Sequence, residues 1–211
     1  MERNSSTTSQ EYCDSRLGLI DIGFWSGIQI TNQLAATLLS LYLKTDHPTL
    51  GLFDYDLFLT DLVNQRVRYC SRLLVSSILS WACVSWENHN SNGPELIIFI
   101  QQTYCYFNTE IVSIGDAFFN EANNLWQLEH SSDSLPTIAA AQLLSLRSIY
   151  NGNGNGRSYL KVGIGMAQRM GLFGLAEVDA ATKSKENPDS WDRASSHTAW
   201  GAFNWAAYEP H

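Results

Sequence analysis

The chain has 211 residues, 45% of them apolar, and its 13 Lys and Arg stand against 21 Asp and Glu for a net charge of −8. That length and composition suffice to bury a core, which excludes a chain disordered by composition. The acidic balance argues against this segment clamping a nucleic-acid backbone, because such a clamp needs clustered cations to displace counterions.

The start, MERNSSTTSQEYCDSR, is polar and lacks the apolar stretch of a secretion signal. Residues 1–27 therefore read as a polar leader, partly disordered, ahead of one helical body over 28–208. The longest uncharged run, 22–43, carries Ser26, Gln29, Thr31, Asn32, Gln33, Thr37 and Ser40. A bilayer span needs about 20 predominantly apolar residues, so no membrane partner is expected.

Ile30, Leu34, Leu38, Leu41 and Tyr42 recur at helical spacing, and Asp46-His47-Pro48 ends that helix. Asp54 is placed to cap a short helix through YDLFLTDLV, burying Leu57 and Phe58. The stretch 69–86 is apolar nearly all round, with Leu74, Ile78, Trp81 and Val84 as one stripe, which predicts a helix in the middle of a bundle. ENHNSNGP (87–94) reads as a loop. From Glu95 to Glu129 the pattern is helical with a break near Asn108, and Phe118, Phe119, Ala122, Leu125 and Trp126 form an apolar face. Pro136 is placed to open a helix carrying Ile138, Ala141, Leu144 and Tyr150, with Gln142 and Arg147 facing out.

NGNGNG (151–156) is a flexible connector, followed by YLKVGIGMAQRMGLFG (159–174). Gly163-Ile164-Gly165 raises the question of a phosphate loop, yet no strand precedes it and Gln168 stands where a third glycine is required. A helix fits better. Tyr159, Val162, Met166, Met170 and Phe173 fall on one side, Lys161, Gln168 and Arg169 reach water, and the small residues let a neighbour approach. Gly171 or Gly174 then supplies the left-handed stop. A charged loop leads to a last segment, WDRASSHTAWGAFNWAAYEPH. With no alternating strand pattern in view, the expected fold is all-α, an irregular multi-helix bundle.

No catalytic, cofactor or metal residue is assigned. His197 has Asp192, Ser195 and Ser196 as local neighbours but no nucleophile elbow, and reads as a polar position at a helix start. His47, His89 and His130 fall in expected loops without a second ligand at metal spacing. Asp54-x-Asp56 begins like a calcium loop, but Leu59 and Gln65 occupy the positions that need glycine and glutamate. Cys13, Cys70, Cys83 and Cys105 are far apart, and the last three sit in apolar stretches as buried thiols. The seven tryptophans lack the cationic groove of a base-stacking surface and read as core packing.

Four segments in order resemble the fungal-specific transcription factor domain, the middle homology region of fungal binuclear zinc-cluster regulators. LLSLYLKTDHPTLGLFDYDLFL (38–59) resembles its opening helix, His-Pro turn and Phe-Asp segment. FFNEANNLW (118–126) is similar to its Phe-Tyr-x-x-Ala-x-x-Leu helix, and residues 135–173 to its Leu-Pro helix, turn and glycine-bearing helix. HTAWGAFNW (197–205) resembles its Thr-Phe-Trp-Gly-x-Phe segment.

The resemblance implies a nuclear, non-enzymatic regulatory domain that senses an effector or contacts protein partners of the transcription machinery or a dimer mate. In that family zinc and DNA are bound by a six-cysteine cluster, which these 211 residues do not contain. Family members also continue with further helices, so the domain is expected to be partial. Trp81, Phe118, Trp126, Met166 and Trp200 are the candidate core and, secondly, the candidate pocket for a small-molecule effector. The alternative readings are an α-solenoid scaffold, for which no fixed repeat is visible, and a small helical enzyme, which no residue suggests.

Overall fold

The computed structural model of the chain describes residues 12–91, 101–174 and 188–207. Among the described residues a 3-10 turn (Ser15–Leu19) is followed by α1 (Ile22–Trp25), α2 (Asn32–Thr45), α3 (His47–Leu50), α4 (Tyr55–Val63) and α5 (Arg72–Ser91). The long α6 (Gln101–Glu129), α7 (Leu135–Tyr150), α8 (Gly156–Arg169) and α9 (Pro188–Ala207) complete an all-α bundle with no strand among the described residues. None of these helices is long and apolar enough to cross a membrane.

Helix starts follow the local chemistry. Thr31 Oγ1 accepts the Leu34 N–H at 3.1 Å, Ser71 Oγ the Leu74 N–H at 3.1 Å and Ser134 Oγ the Thr137 N–H at 3.2 Å, each satisfying a donor that the first turn leaves orphaned. Asp54 Oδ1 does the same for Leu57 at 2.9 Å, the predicted cap. Gly51, at φ 59°, takes the left-handed conformation that ends α3.

Two helices form the centre. Residues 73–80 of α5 are buried without interruption, as their all-round apolarity predicts. Helix α7 touches α5, α6, α8 and α9, and residues 135–145 are all buried. Its two polar side chains expected to face out therefore do not. Gln142 and Arg147 are both buried, because a helix packed on four sides has no solvent face to give them. A bundle centre of this kind differs from the stacked pairs of a solenoid.

The stretch YLKVGIGMAQRMGLFG (159–174) is a packed helix as far as Arg169. A Cβ on Gly163 would lie 2.9 Å from the Ala141 Cβ of α7, so glycine there sets the α7–α8 spacing. Gly171 and Gly174 both have φ 68° and turn the chain after α8.

Several expectations are corrected. The polar leader ends earlier than residue 27, since Leu17 and Trp25 are fully buried in the core and Trp25 Nε1–H donates to the Leu62 carbonyl at 2.9 Å. Short polar spacers masked this hydrophobic set in the sequence. Helix α5 runs on through 87–91, where a loop was expected, because Asn and His weaken a helix only mildly. Helix α6 passes Asn108 without a break for the same reason. His47 lies buried in α3 rather than in an open loop, and His197 sits well inside α9 rather than at its start. Residues 1–11, the Gly93-Pro94 breaker, the charged loop 175–187, the end of the body from 208 and the Cys105 side chain lie outside the described residues.

Candidate functional site

Of the five candidate pocket residues, Phe118, Trp126 and Met166 are buried in the main core. Trp126 meets the Tyr159 ring edge-on at 5.4 Å, and Tyr159 in turn donates its hydroxyl to Asn123. Trp81 is half-buried and donates Nε1–H to Asp46 at 3.1 Å, tying α5 to the end of α2. Trp200 is 65% exposed. The five do not converge on one cavity.

Trp200 instead belongs to an apolar groove between α8 and α9. The groove has a volume of about 580 Å³ and is lined by Ile164, Gln168, Leu172, Phe173, Ala199, Trp200 and Phe203. Trp200 and Phe203 meet edge to face at 6.1 Å and both remain exposed. Two glycines position its walls. Gly163 seats α8 on α7, and Gly201 seats α9, since a Cβ there would meet Gln142 Oε1 and the Leu52 backbone at 3.2 Å. Clustered exposed aromatics over a groove are the composition of a protein-contact surface.

Helix α9 is fixed in its N-terminal half by a charge cluster. Arg193 donates Nη2 to both Asp54 oxygens at 2.9 and 3.0 Å and Nε to Oδ2 at 3.2 Å. Arg16 bridges Asp14 at 2.9 Å and Asp56 at 2.8 Å, extending the network to the start of the described chain. His47 lies below this cluster. Burial above all, and then the charge of His197, push its pKa from the usual 6.5 down to about 4, while Asp54 pulls the other way. His47 is therefore neutral at pH 7. Sequence reading found Asp54 as a cap and missed its partnership with Arg193, which no local spacing announces.

No family model matches the chain, and no solved structure matches it. Over 185 residues it is 28% identical to the notoamide biosynthesis transcriptional activator notL' of Aspergillus versicolor, an alignment taking in 85% of this chain and 26% of the relative. The chain is similar to a fungal transcriptional activator. It spans about a quarter of that relative's length, and the likeness extends across the helical body rather than resting on one helix.

Several polar groups of this body are held in structural roles. Ser195 and Ser196 both donate their hydroxyls back to the Asp192 carbonyl, which occupies them within α9. Burial raises the Cys70 thiol well above its usual range and the Cys83 thiol to about 12, so both stay protonated and neither is an activated nucleophile. Among the described residues no three His, Cys, Asp or Glu side chains stand close enough to hold a metal ion. Cys13, Cys70, Cys83 and Cys105 include no C-x-x-C pair, the spacing usual in zinc clusters.

Proposed function

We propose that this chain is the helical regulatory part of a fungal zinc-cluster type transcription regulator, acting in the nucleus through protein contacts and an effector rather than by catalysis. The likeness to a transcriptional activator over 85% of the chain carries the reading. Zinc and DNA are then the business of a separate cysteine-rich module. The acidic net charge of −8 agrees with that division, as does the exposed aromatic groove between α8 and α9, which suits a partner of the transcription machinery or a dimer mate.

The test is to fuse the 211-residue chain to an unrelated DNA-binding domain and measure a reporter carrying that domain's site in a fungal host. Reporter output raised or lowered relative to the DNA-binding domain alone is the expected result. Unchanged output from a fusion that is abundant and nuclear overturns the reading.

A further inference from the structure

Arg147 projects from α7 with a side chain only 6% exposed. Among the described residues it makes one ion pair, from Nη2 to Asp116 Oδ1 on α6. Its Cζ lies 5.8 Å from the Phe119 ring centroid and 5.6 Å from that of Tyr150. The Nε–H is enclosed and has no acceptor. A guanidinium carries five N–H donors, and each buried donor left unmade costs free energy, so this group is under-satisfied where it sits.

The guanidinium forms part of the wall of a cleft of about 270 Å³ between α5, α6 and the end of α7. Val112 and Cys83 supply its apolar side, while Glu87, Asp116, Tyr150 and Asn151 supply its polar side. The volume is just under the range of about 300–1,000 Å³ usual for ligand pockets, so the occupant is small. Arg147 calls for an acceptor oxygen. An anion providing it would also face the Asp116 carboxylate, whereas a cation would face the guanidinium. An uncharged group with a carbonyl and an N–H side by side meets both demands. We infer that this cleft binds a small neutral amide or lactam, its carbonyl accepting from Arg147, its N–H donating to Asp116 and its plane lying against Tyr150.

The site stands on its own geometry, and its role as an effector pocket rests on the regulatory reading above. Binding is therefore measured on the purified 211-residue chain, away from any reporter, with benzamide as probe and benzoate and benzamidine as its anionic and cationic counterparts. The readout is nitrogen-15 NMR of the Arg147 Nε–H and the Asn151 side-chain amide. Benzamide is expected to shift both signals saturably, with the two charged analogues weaker by roughly tenfold or more. Arg147→Met should abolish the shift at Asn151. Because that variant disturbs a buried pair, Val112→Trp serves as the second. Val112 is 37% exposed, so an indole there fills the cleft without emptying the core, and it should remove benzamide binding while leaving Arg147 in place. No saturable shift, an unchanged affinity in Val112→Trp, or tighter binding of either charged analogue overturns the assignment.

Discussion

Arg193 reaches across 139 positions of sequence to put two guanidinium nitrogens on the Asp54 carboxylate, the same carboxylate that caps α4 through the Leu57 N–H. One side chain thus starts a helix in the first half of the chain and holds the last described helix in place. Asp54 is 6% exposed and Arg193 53%, so solvent screens the pair and the cap is its equal in weight. Asp54→Asn keeps the capping acceptor and removes the charge, and should cost about 1 kcal/mol. Asp54→Ala removes both and should cost about 2 kcal/mol. Urea unfolding at neutral pH measures the two, and equal losses would deny the cap any share.

His47 gives the fold an acid-sensitive component. Its ring lies 4.5 Å from that of Phe53, and its pKa is about 4 in the native state against 6.5 for the ordinary group. Between those values the unfolded chain binds a proton that the folded chain refuses. Stability from this group is whole above pH 6.5, falls as pH falls, and is spent by about pH 4, an effect on the order of 3 kcal/mol. Burial raises Asp61 and Glu129, which slope the other way, but both persist when only His47 is changed. His47→Phe keeps an aromatic ring against Phe53 and should flatten the decline in urea midpoint between pH 6.5 and 4. Parallel declines in the two proteins would remove His47 from the account.

The two glycines of Gly163-Ile164-Gly165 are predicted to respond with opposite signs. A Cβ at 163 would press on the Ala141 Cβ at 2.9 Å, whereas at 165 its nearest neighbour is the flexible end of Arg169 at 3.4 Å. Gly163→Ala should destabilise by roughly 1–2 kcal/mol through overpacking. Gly165→Ala should stabilise by about 1 kcal/mol, the helix-propensity difference. Thermal melts of both variants decide, and a stabilising Gly163→Ala would mean that α7 and α8 do not rely on this contact.

What the sequence could disclose depended on range. Periodicity located α2, α4, α7 and α8, and start signals such as the Asp54 cap and Pro136 are local and survive into the structure. The all-α architecture followed from them. Burial of Gln142 and Arg147 was illegible because a 3.6-residue period records amphipathicity, and α7 is packed against four other helices along most of its length, so polar positions there say little about solvent. Leu17 and Trp25 were lost in a polar composition, since short turns such as α1 carry no period. Trp200 misled in the opposite way. Its apolar neighbours suggested core, while the structure leaves its face of α9 without a helix to cover it among the described residues.

Glu121 fastens the early segment that composition assigned to a leader. Its carboxylate accepts from Ser26 Oγ at 2.6 Å, the Gly27 N–H at 2.7 Å and Ser76 Oγ at 2.7 Å, joining α1, α5 and α6. Glu121→Ala strands the buried Ser26 and Ser76 hydroxyls, while the exposed Gly27 N–H turns to water, and should destabilise by about 2 kcal/mol. Amide hydrogen exchange adds a spatial readout, with protection expected to fall in residues 22–27 before the core of α5. Uniform loss across the chain would show that α1 is not anchored at this point.

The groove between α8 and α9 yields a prediction that separates contact from folding. Trp200 and Phe203 are 65% and 55% exposed, so replacing them with Ser removes only the smaller share of each ring's area from the fold. The Trp200→Ser, Phe203→Ser pair should lower the unfolding free energy by no more than about 3 kcal/mol and leave the transition cooperative. In the reporter fusion the same pair should lose most of its effect on transcription, because the aromatic surface offered to a partner is gone. A large drop in stability would mean that these rings are structural, and an undiminished reporter response would place the functional contact on another face of the bundle.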